Sequence, residues 1–257
     1  MKITEKINNS RYVFKEILND EWDTSGIANY SLNELEKIYS SVDSTDQYIK
    51  SYGFGFACNI QLKHKIIENY KLHIIYYNFP ELTPQPQIQK VTKSITDKIL
   101  KLYDSDYLGD NDSVIIIVNE NISESIEKNI NNFNIELQNG LNETGLNEDI
   151  INDLKKHKLV LNSDYKLNHF KNITILNIDS VTNNLLKHRL IPEHKIIRDK
   201  QTIDKILNEC NATINQLPII LKNDIISKLI RLSPGDICQI KRKNYKCGEN
   251  NFYRVCK

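Results

Sequence analysis

Histidine, cysteine and lysine are the side chains of this sequence whose types and spacing could do chemistry. His188 and His194 bracket a proline in the segment HRLIPEH, a pair that invites a metal ion. No cysteine or carboxylate stands at ligand spacing beside them and zinc takes four ligands, so no metal site is assigned. Cys58, Cys210, Cys238, Cys247 and Cys256 include no C-x-x-C pair. An odd count, in a chain whose opening MKITEKINNS lacks an apolar core of signal-peptide length, reads as reduced thiols. Lys90, Lys93 and Lys101 form a basic stripe on an amphipathic segment, the pattern of an ordinary solvated helix face. The motifs G-x-x-x-x-G-K-[ST], G-x-S-x-G and H-E-x-x-H do not occur, so nucleotide hydrolysis, acyl transfer and zinc proteolysis have no foothold. No catalytic residue and no cofactor is assigned.

The elements that must position these residues follow from composition and periodicity. With 257 residues, 40% hydrophobic and 26% charged, the chain can bury one large core, or one moderate and one small, and two domains are expected. Lys and Arg total 34 against 33 Asp and Glu; no global positive field drives stand-alone nucleic-acid binding, so any DNA contact is local. No uncharged apolar run approaches the roughly 20 residues that span a bilayer, and the protein is expected to be soluble, intracellular and without a membrane partner. Richness in Asn, Ile, Lys and Tyr with only 8 Gly, 6 Pro and 1 Met is a bias that AT-rich coding produces.

Near the N-terminus, Tyr12, Val13, Phe14, Ile17 and Leu18 recur at helical spacing after Ser10, read as an N-cap. Ser31 and Glu34 make the pattern of a capping box ahead of Leu35, Ile38 and Tyr39. FGFACNIQLKHK and KLHIIYYNF read as two antiparallel strands, the second ended by Pro80, Pro84 and Pro86. Residues 87–103 predict an amphipathic helix whose apolar stripe is Ile88, Val91, Ile95, Ile99 and Leu102. VIIIV at 114–118 is an apolar run of the kind buried on both faces of an α/β layer, and its place after a helix suggests a β-α-β unit. Ile122, Ile126, Ile130 and Phe133 continue as a helix, the polar stretch 136–170 reads as an insertion, and NITILNID restores a strand. The boundary between the domains, 1–186 and 187–257, is placed near Leu186.

The last seventy or so residues carry motifs in a fixed order. His188, Leu190, Ile191, Pro192, Glu193 and His194 of HRLIPEH lead into a helix capped by Asp199, with Ile203, Ile206, Leu207 and Cys210 as its buried face. Asn215-Gln216-Leu217-Pro218-Ile219-Ile220 follows, then Asp224 as cap of a short helix whose inward residues are Ile226, Leu229 and Ile230, then the turn Leu232-Ser233-Pro234-Gly235-Asp236. Two strand-like segments, DICQIKR and NFYRVCK, close the chain around Gly248, with Arg242, Tyr253, Arg254 and Val255 in place. This series resembles the C-terminal assembly domain of the fifth-subunit family of multisubunit DNA-directed RNA polymerases, which includes the eukaryotic and viral subunit 5 and its archaeal counterpart. Ile225 stands where the family has proline, Lys243-Asn244 where it has Pro-Ser, and Tyr245-Lys246 where it has an acidic and hydroxyl pair.

The resemblance implies a fold and a function. Residues 1–186 would be an α/β, restriction-endonuclease-like lower jaw without an active site, lying beside downstream duplex DNA. Residues 187–257 would be a small α+β assembly domain docking on the largest polymerase subunit. It further implies a non-catalytic structural subunit whose partners are that subunit, the other polymerase subunits and, weakly and locally, DNA, whose phosphates Lys90, Lys93 and Lys101 would face unless they are an ordinary solvated surface. An apolar docking face of Leu190, Ile191, Leu217, Ile219, Leu229 and Leu232 is expected, with oriented polar contacts from Arg242, Tyr253 and Arg254. The virion and host cytoplasm of a large DNA virus, or the nucleus of an AT-rich eukaryote, both suit the composition. Glu68, Glu81, Asp97, Asp104, Asp106, Asp110 and Asp112 form no D-x(n)-E-x-K strand arrangement, so no nuclease site is assigned in the jaw. The competing reading is a stand-alone DNA-binding transcription regulator that carries a borrowed assembly domain.

Overall fold

The computed structural model describes residues 1–41, 45–83, 90–159, 161, 165–244 and 248–257. It divides into two units, Met1–Asp153 with Phe170–Asn183, and Leu154–His169 with Asn184–Lys257. Part of the segment expected as an insertion of the first domain, residues 154–169, therefore groups with the second unit. Among the described residues no helix is long and apolar enough to cross a membrane.

In the first unit, α1 (Ile3–Ile17) begins seven residues before the expected cap. Its opening is satisfied by the Lys2 amide donating to the Glu5 carboxylate at 2.9 Å, a pairing that no usual N-cap residue announces. Ser10 is instead fully buried inside the helix, its hydroxyl bonded to the Ile7 carbonyl at 2.7 Å and to the Tyr76 hydroxyl at 2.8 Å. After β1 (Trp22–Asp23), α2 (Leu32–Ser40) starts with the capping box read from sequence: the Ser31 amide donates to Glu34 at 2.8 Å and the Glu34 amide to the Ser31 hydroxyl at 3.3 Å. A short α3 (Gln47–Tyr52) and a 3-10 turn, Phe54–Cys58, lead to β2 (Ile60–His64).

The sheet of this unit runs in the order β1-β2-β3-β4-β5, with β3 at Lys71–Tyr77, β4 at Ser113–Val118 and β5 at Ile173–Asn177. β1, β2 and β3 pair antiparallel, whereas β3, β4 and β5 pair parallel. Parallel neighbours require crossover segments, which here contain α4 (Ile95–Asp104) and α5 (Glu124–Thr144). All six residues of β4 are buried, as a strand covered on both faces must be. On one face Ile75, Tyr77, Val114, Ile116 and Val118 pack with Ile95, Ile99 and Leu102 of α4 and Ile130 and Phe133 of α5. Each such aliphatic side chain removed from water stabilises the unit by about 1.5–3 kcal/mol.

Two expected helices have different bounds. The helix expected over 87–103 starts at Ile95; Val91 is buried before it and gives its amide to the Glu120 carboxylate rather than to a helical turn. Pro84, Pro86 and Ile88 lie outside the described residues. Conversely α5 continues to Thr144 and ends at Gly145, whose φ of 76° suits a residue without a Cβ. Its stripe, Ile126, Ile130, Phe133, Leu137 and Leu141, keeps helical spacing through the polar sequence of the expected insertion. That stretch also holds α6 (Glu148–Lys156), which carries Ile150 and Leu154 as buried residues. Asn134 of α5 is buried and joins β5 as a backbone would: its side-chain amide donates to the Ile173 carbonyl at 2.7 Å and accepts from the Ile173 amide at 2.8 Å.

The second unit is α+β. Its sheet runs β6-β8-β9-β7, with β6 at Glu193–Ile197, β7 at Ile219–Ile220, β8 at Ile237–Asn244 and β9 at Gly248–Cys256. Three strands are antiparallel, and β7 is parallel to β9. α7 (Lys200–Glu209) has Asp199 as its cap, accepting from the Thr202 amide at 2.8 Å, and α8 (Ile225–Leu229) has Asp224, accepting from the Ile226 amide at 2.8 Å. Alternation along β8 and β9 sends Ile237 and Val255 to one cluster, with Ile197, Ile206 and Leu217, and Cys238, Ile240 and Cys256 to another, with Ile220 and Leu232. Cys210, expected on the buried face of α7, is exposed because it is the residue at which that helix ends.

Candidate docking surface

Asp236 is the fixed point around which the second unit's loops are arranged. Nearly all of its side chain is buried, and one carboxylate oxygen accepts from His169 Nε2 at 2.8 Å. The other accepts from the Ser233 amide at 3.1 Å and from Arg198 Nε at 3.4 Å. The Lys166 amide donates to His169 Nδ1 at 3.1 Å, which leaves Nε2 as the ring nitrogen that carries the proton towards Asp236. Burial opposes ionisation of the carboxyl, but the hydrogen bond from His169, the charge of Arg198 and the Ser233 amide outweigh it and hold the pKa below the ordinary carboxylate value. Next to it Gly235 has a φ of 86°, and a Cβ there would come within 2.9 Å of Lys166 Nζ, which donates to the Gly235 carbonyl at 2.7 Å. These contacts fix the turn that launches β8.

β8 pairs with β6 so that Glu193 lies opposite Lys241 and His194 opposite Ile240. This register brings the motif His188–His194 beside the far end of β8, around a cavity of about 750 Å3. His188, Leu190, Ile191, Pro192, Glu193, His194 and Arg242, all singled out in the sequence, line it together. The motif is held by short-range bonds: the Ile191 amide donates to the His188 carbonyl at 2.9 Å, and His194 Nδ1 donates to the Pro192 carbonyl at 2.7 Å. Leu190 is 75% exposed, a loss of about 1.5–3 kcal/mol relative to a covered leucine.

The other singled-out residues build the scaffold rather than line this cavity. Gln216 accepts from the Thr213 amide at 2.7 Å, and the Pro218 carbonyl accepts from Val255 at 2.9 Å. Asp224 caps α8, Gly235 makes the turn, and Gly248, with a φ of 73°, opens β9. Tyr253 packs against the Ile197 cluster, and Arg254 Nη1 donates to the Ile219 carbonyl at 3.1 Å, tying β9 to the edge strand β7. The expected apolar docking face needs correction. Leu217, Leu229 and Leu232 are already buried in the unit's own core, and only Leu190, Ile191 and Ile219 of that set retain exposure.

Sequence reasoning passed over Lys187, Arg189, Lys241 and Lys243 as part of this surface, although they line the same cavity. Isolated basic residues carry no local signal, and the two groups are brought together only by the β6–β8 register. Lys241 and Lys243 meet Glu249 at 2.8 and 3.4 Å, and the Glu249 hydrogen bond, then its charge, raises the pKa of Lys241. Arg242 lies over the Phe252 ring at 4.9 Å. In the first unit Lys90, Lys93 and Lys101 are exposed, but only Lys101 belongs to α4; Lys90 and Lys93 precede it, so they do not form one helical stripe.

A family model described as RNA polymerase Rpb5, C-terminal domain, matches residues 183–256. Curated relatives match over the same part of the chain. A protein of Methanosphaera stadtmanae named DNA-directed RNA polymerase subunit Rpo5 is 38% identical over 71 residues, 28% of this chain and 91% of the relative. Proteins of the same name from Archaeoglobus fulgidus and Aeropyrum pernix are 38% and 36% identical, covering 92% and 77% of those relatives.

Proposed function

The chain belongs to the fifth-subunit family of DNA-directed RNA polymerases, the Rpb5 and Rpo5 proteins, and we propose that it acts in transcription as a non-catalytic, structural subunit of such an enzyme. Nucleotidyl transfer belongs to the complex. The second unit anchors the chain on the largest subunit, and the first forms the lower jaw beside downstream DNA.

The observation that carries the anchoring role is the convergence of HRLIPEH and Arg242 on one open cavity, with Leu190 left 75% exposed beside it. A monomer gains nothing from that exposure, whereas a docked partner covers it. The structural role of the first unit is supported by the way its one buried aspartate among the described residues is used. Asp112 accepts from the Lys71 amide at 3.0 Å and the Gly109 amide at 3.0 Å and pairs with His73 at 3.0 Å, so its carboxylate is occupied in joining β3 to β4. The exposure of Lys90, Lys93 and Lys101 supports the jaw reading, since exposed lysines can meet phosphate without reading sequence.

Co-expression of the full chain with the largest polymerase subunit from the same source tests the anchoring role. Co-elution of the two on size exclusion is the expected result; separate elution under conditions where both are folded would reject it.

A further inference from the structure

The cavity at the HRLIPEH motif has a charge that the rest of the chain does not share. Lys187 and Arg189 approach it from the motif side, and Lys241, Arg242 and Lys243 from β8. Among the described residues only Glu193 lines it with the opposite charge, and Glu249 lies next to it, bridging Lys241 and Lys243. Five cations against these two carboxylates leave a local excess of positive charge, in a chain whose net charge is only +1. The remainder of the protein is therefore slightly acidic in sum, and this local excess favours an anionic partner at the cavity.

The walls of the cavity choose between anionic partners. Leu186, Leu190, Ile191 and Pro192 supply aliphatic surface between the two basic groups. A nucleic-acid backbone would meet cations there but would gain nothing from aliphatic walls, and among the described residues the aromatic rings lining the cavity are the small imidazoles of His188 and His194, with no Phe, Tyr or Trp face for a base to stack on. A polypeptide carrying carboxylates on either side of a large apolar side chain satisfies both features: its carboxylates meet the basic groups and its apolar residue covers Leu190.

We propose that this cavity is the receptor for an acidic segment of a partner polypeptide bearing a leucine or phenylalanine between its carboxylates. The inference rests on reading the second unit as the anchor, and it names the chemistry of the partner segment that the anchor grips.

The test uses the full chain and a short fluorescein-labelled peptide of Glu and Asp with a central leucine, followed by fluorescence anisotropy. Saturable binding that weakens with salt is expected, because exposed charges are screened. The double variant Arg189→Glu/Arg242→Glu should lose about tenfold or more in affinity. Leu190→Asp, at an exposed position, should lose affinity for the leucine peptide more than for the same peptide carrying serine at its centre. Circular dichroism and thermal melting of each variant establish that it remains folded. Unchanged affinity in both folded variants would overturn the proposal, as would a single-stranded oligonucleotide that binds more tightly and displaces the peptide. Incorporation into the polymerase separates the two levels of the argument. If the wild-type chain incorporates and the charge-reversed chain does so equally well, the cavity is not the receptor although the subunit role stands. If the wild-type chain does not incorporate at all, both fall.

Discussion

Replacing Asp236 with alanine removes the acceptor on which three separate segments of the second unit converge. The lost contacts are the 2.8 Å bond from His169, the 3.1 Å bond from the Ser233 amide and the 3.4 Å contact from Arg198. Hydrogen bonds to a charged group contribute about 1.5–3 kcal/mol each, and breaking a buried pair by deleting one partner costs about 3–5 kcal/mol, since the surviving groups are left desolvated. The Asp236→Ala chain should therefore lose about 3–5 kcal/mol in the second unit. Amide exchange read by mass spectrometry reports this locally: protection of β8 and β9 should fall by roughly two to nearly four orders of magnitude, at 1.4 kcal/mol per tenfold. Asp236→Asn keeps the shape and one acceptor, and should fall between the two. The folded pKa of Asp236 lies below its unfolded value, so its contribution is fully present above the ordinary carboxylate range and is lost as pH falls through the folded pKa. Stability of the wild type should decline below about pH 4, and the Asn variant should show a smaller decline. A loss of less than about 1 kcal/mol in the Ala variant, or acid sensitivity unchanged by Asn, would refute the assignment of Asp236 as the unit's anchor.

Three further perturbations follow from the same contacts. Asn134→Ala leaves both backbone groups of Ile173 unpaired by α5 and should cost the first unit about 2–4 kcal/mol, read from the denaturation midpoint of the fluorescence of Trp22, the chain's single tryptophan. Gly235→Ala, at a φ of 86° and with Lys166 Nζ in the way, should destabilise the second unit by about 1–3 kcal/mol in guanidinium unfolding followed by circular dichroism. Changing Lys90, Lys93 and Lys101 together to Glu should shorten the lifetime of reconstituted elongation complexes, with a weaker dependence on salt than wild type; an unaltered lifetime would leave these lysines as solvent-facing residues only.

What could be read from the sequence was what local chemistry announces. Ser31 with Glu34, Asp199 and Asp224 each cap the helix expected of them, because a cap is a contact within a few residues. The run 114–118 becomes a fully buried interior strand because unbroken β-branched residues satisfy one environment. Ser10 misled because its hydroxyl has two possible roles: instead of capping, it bonds back to the Ile7 carbonyl and across to Tyr76, which is remote in sequence. The apolar stripe of α5 was hidden because only two of its five positions fall inside the polar stretch assigned to an insertion. Around the cavity of the second unit, HRLIPEH could be found as a motif, whereas Lys241 and Lys243 could not: what recruits them is the β6–β8 register, which no short segment encodes. The division of Leu217, Leu229 and Leu232 into the core and Leu190 and Ile219 onto the surface is likewise a tertiary outcome, since all five have the same apolar character.

The most direct test of the central claim is affinity purification of the tagged chain from its native source, followed by mass spectrometry and a promoter-independent RNA synthesis assay. Recovery of the two large polymerase subunits together with RNA synthesis is the predicted result. A folded chain recovered alone, without either subunit and without activity, would contradict it.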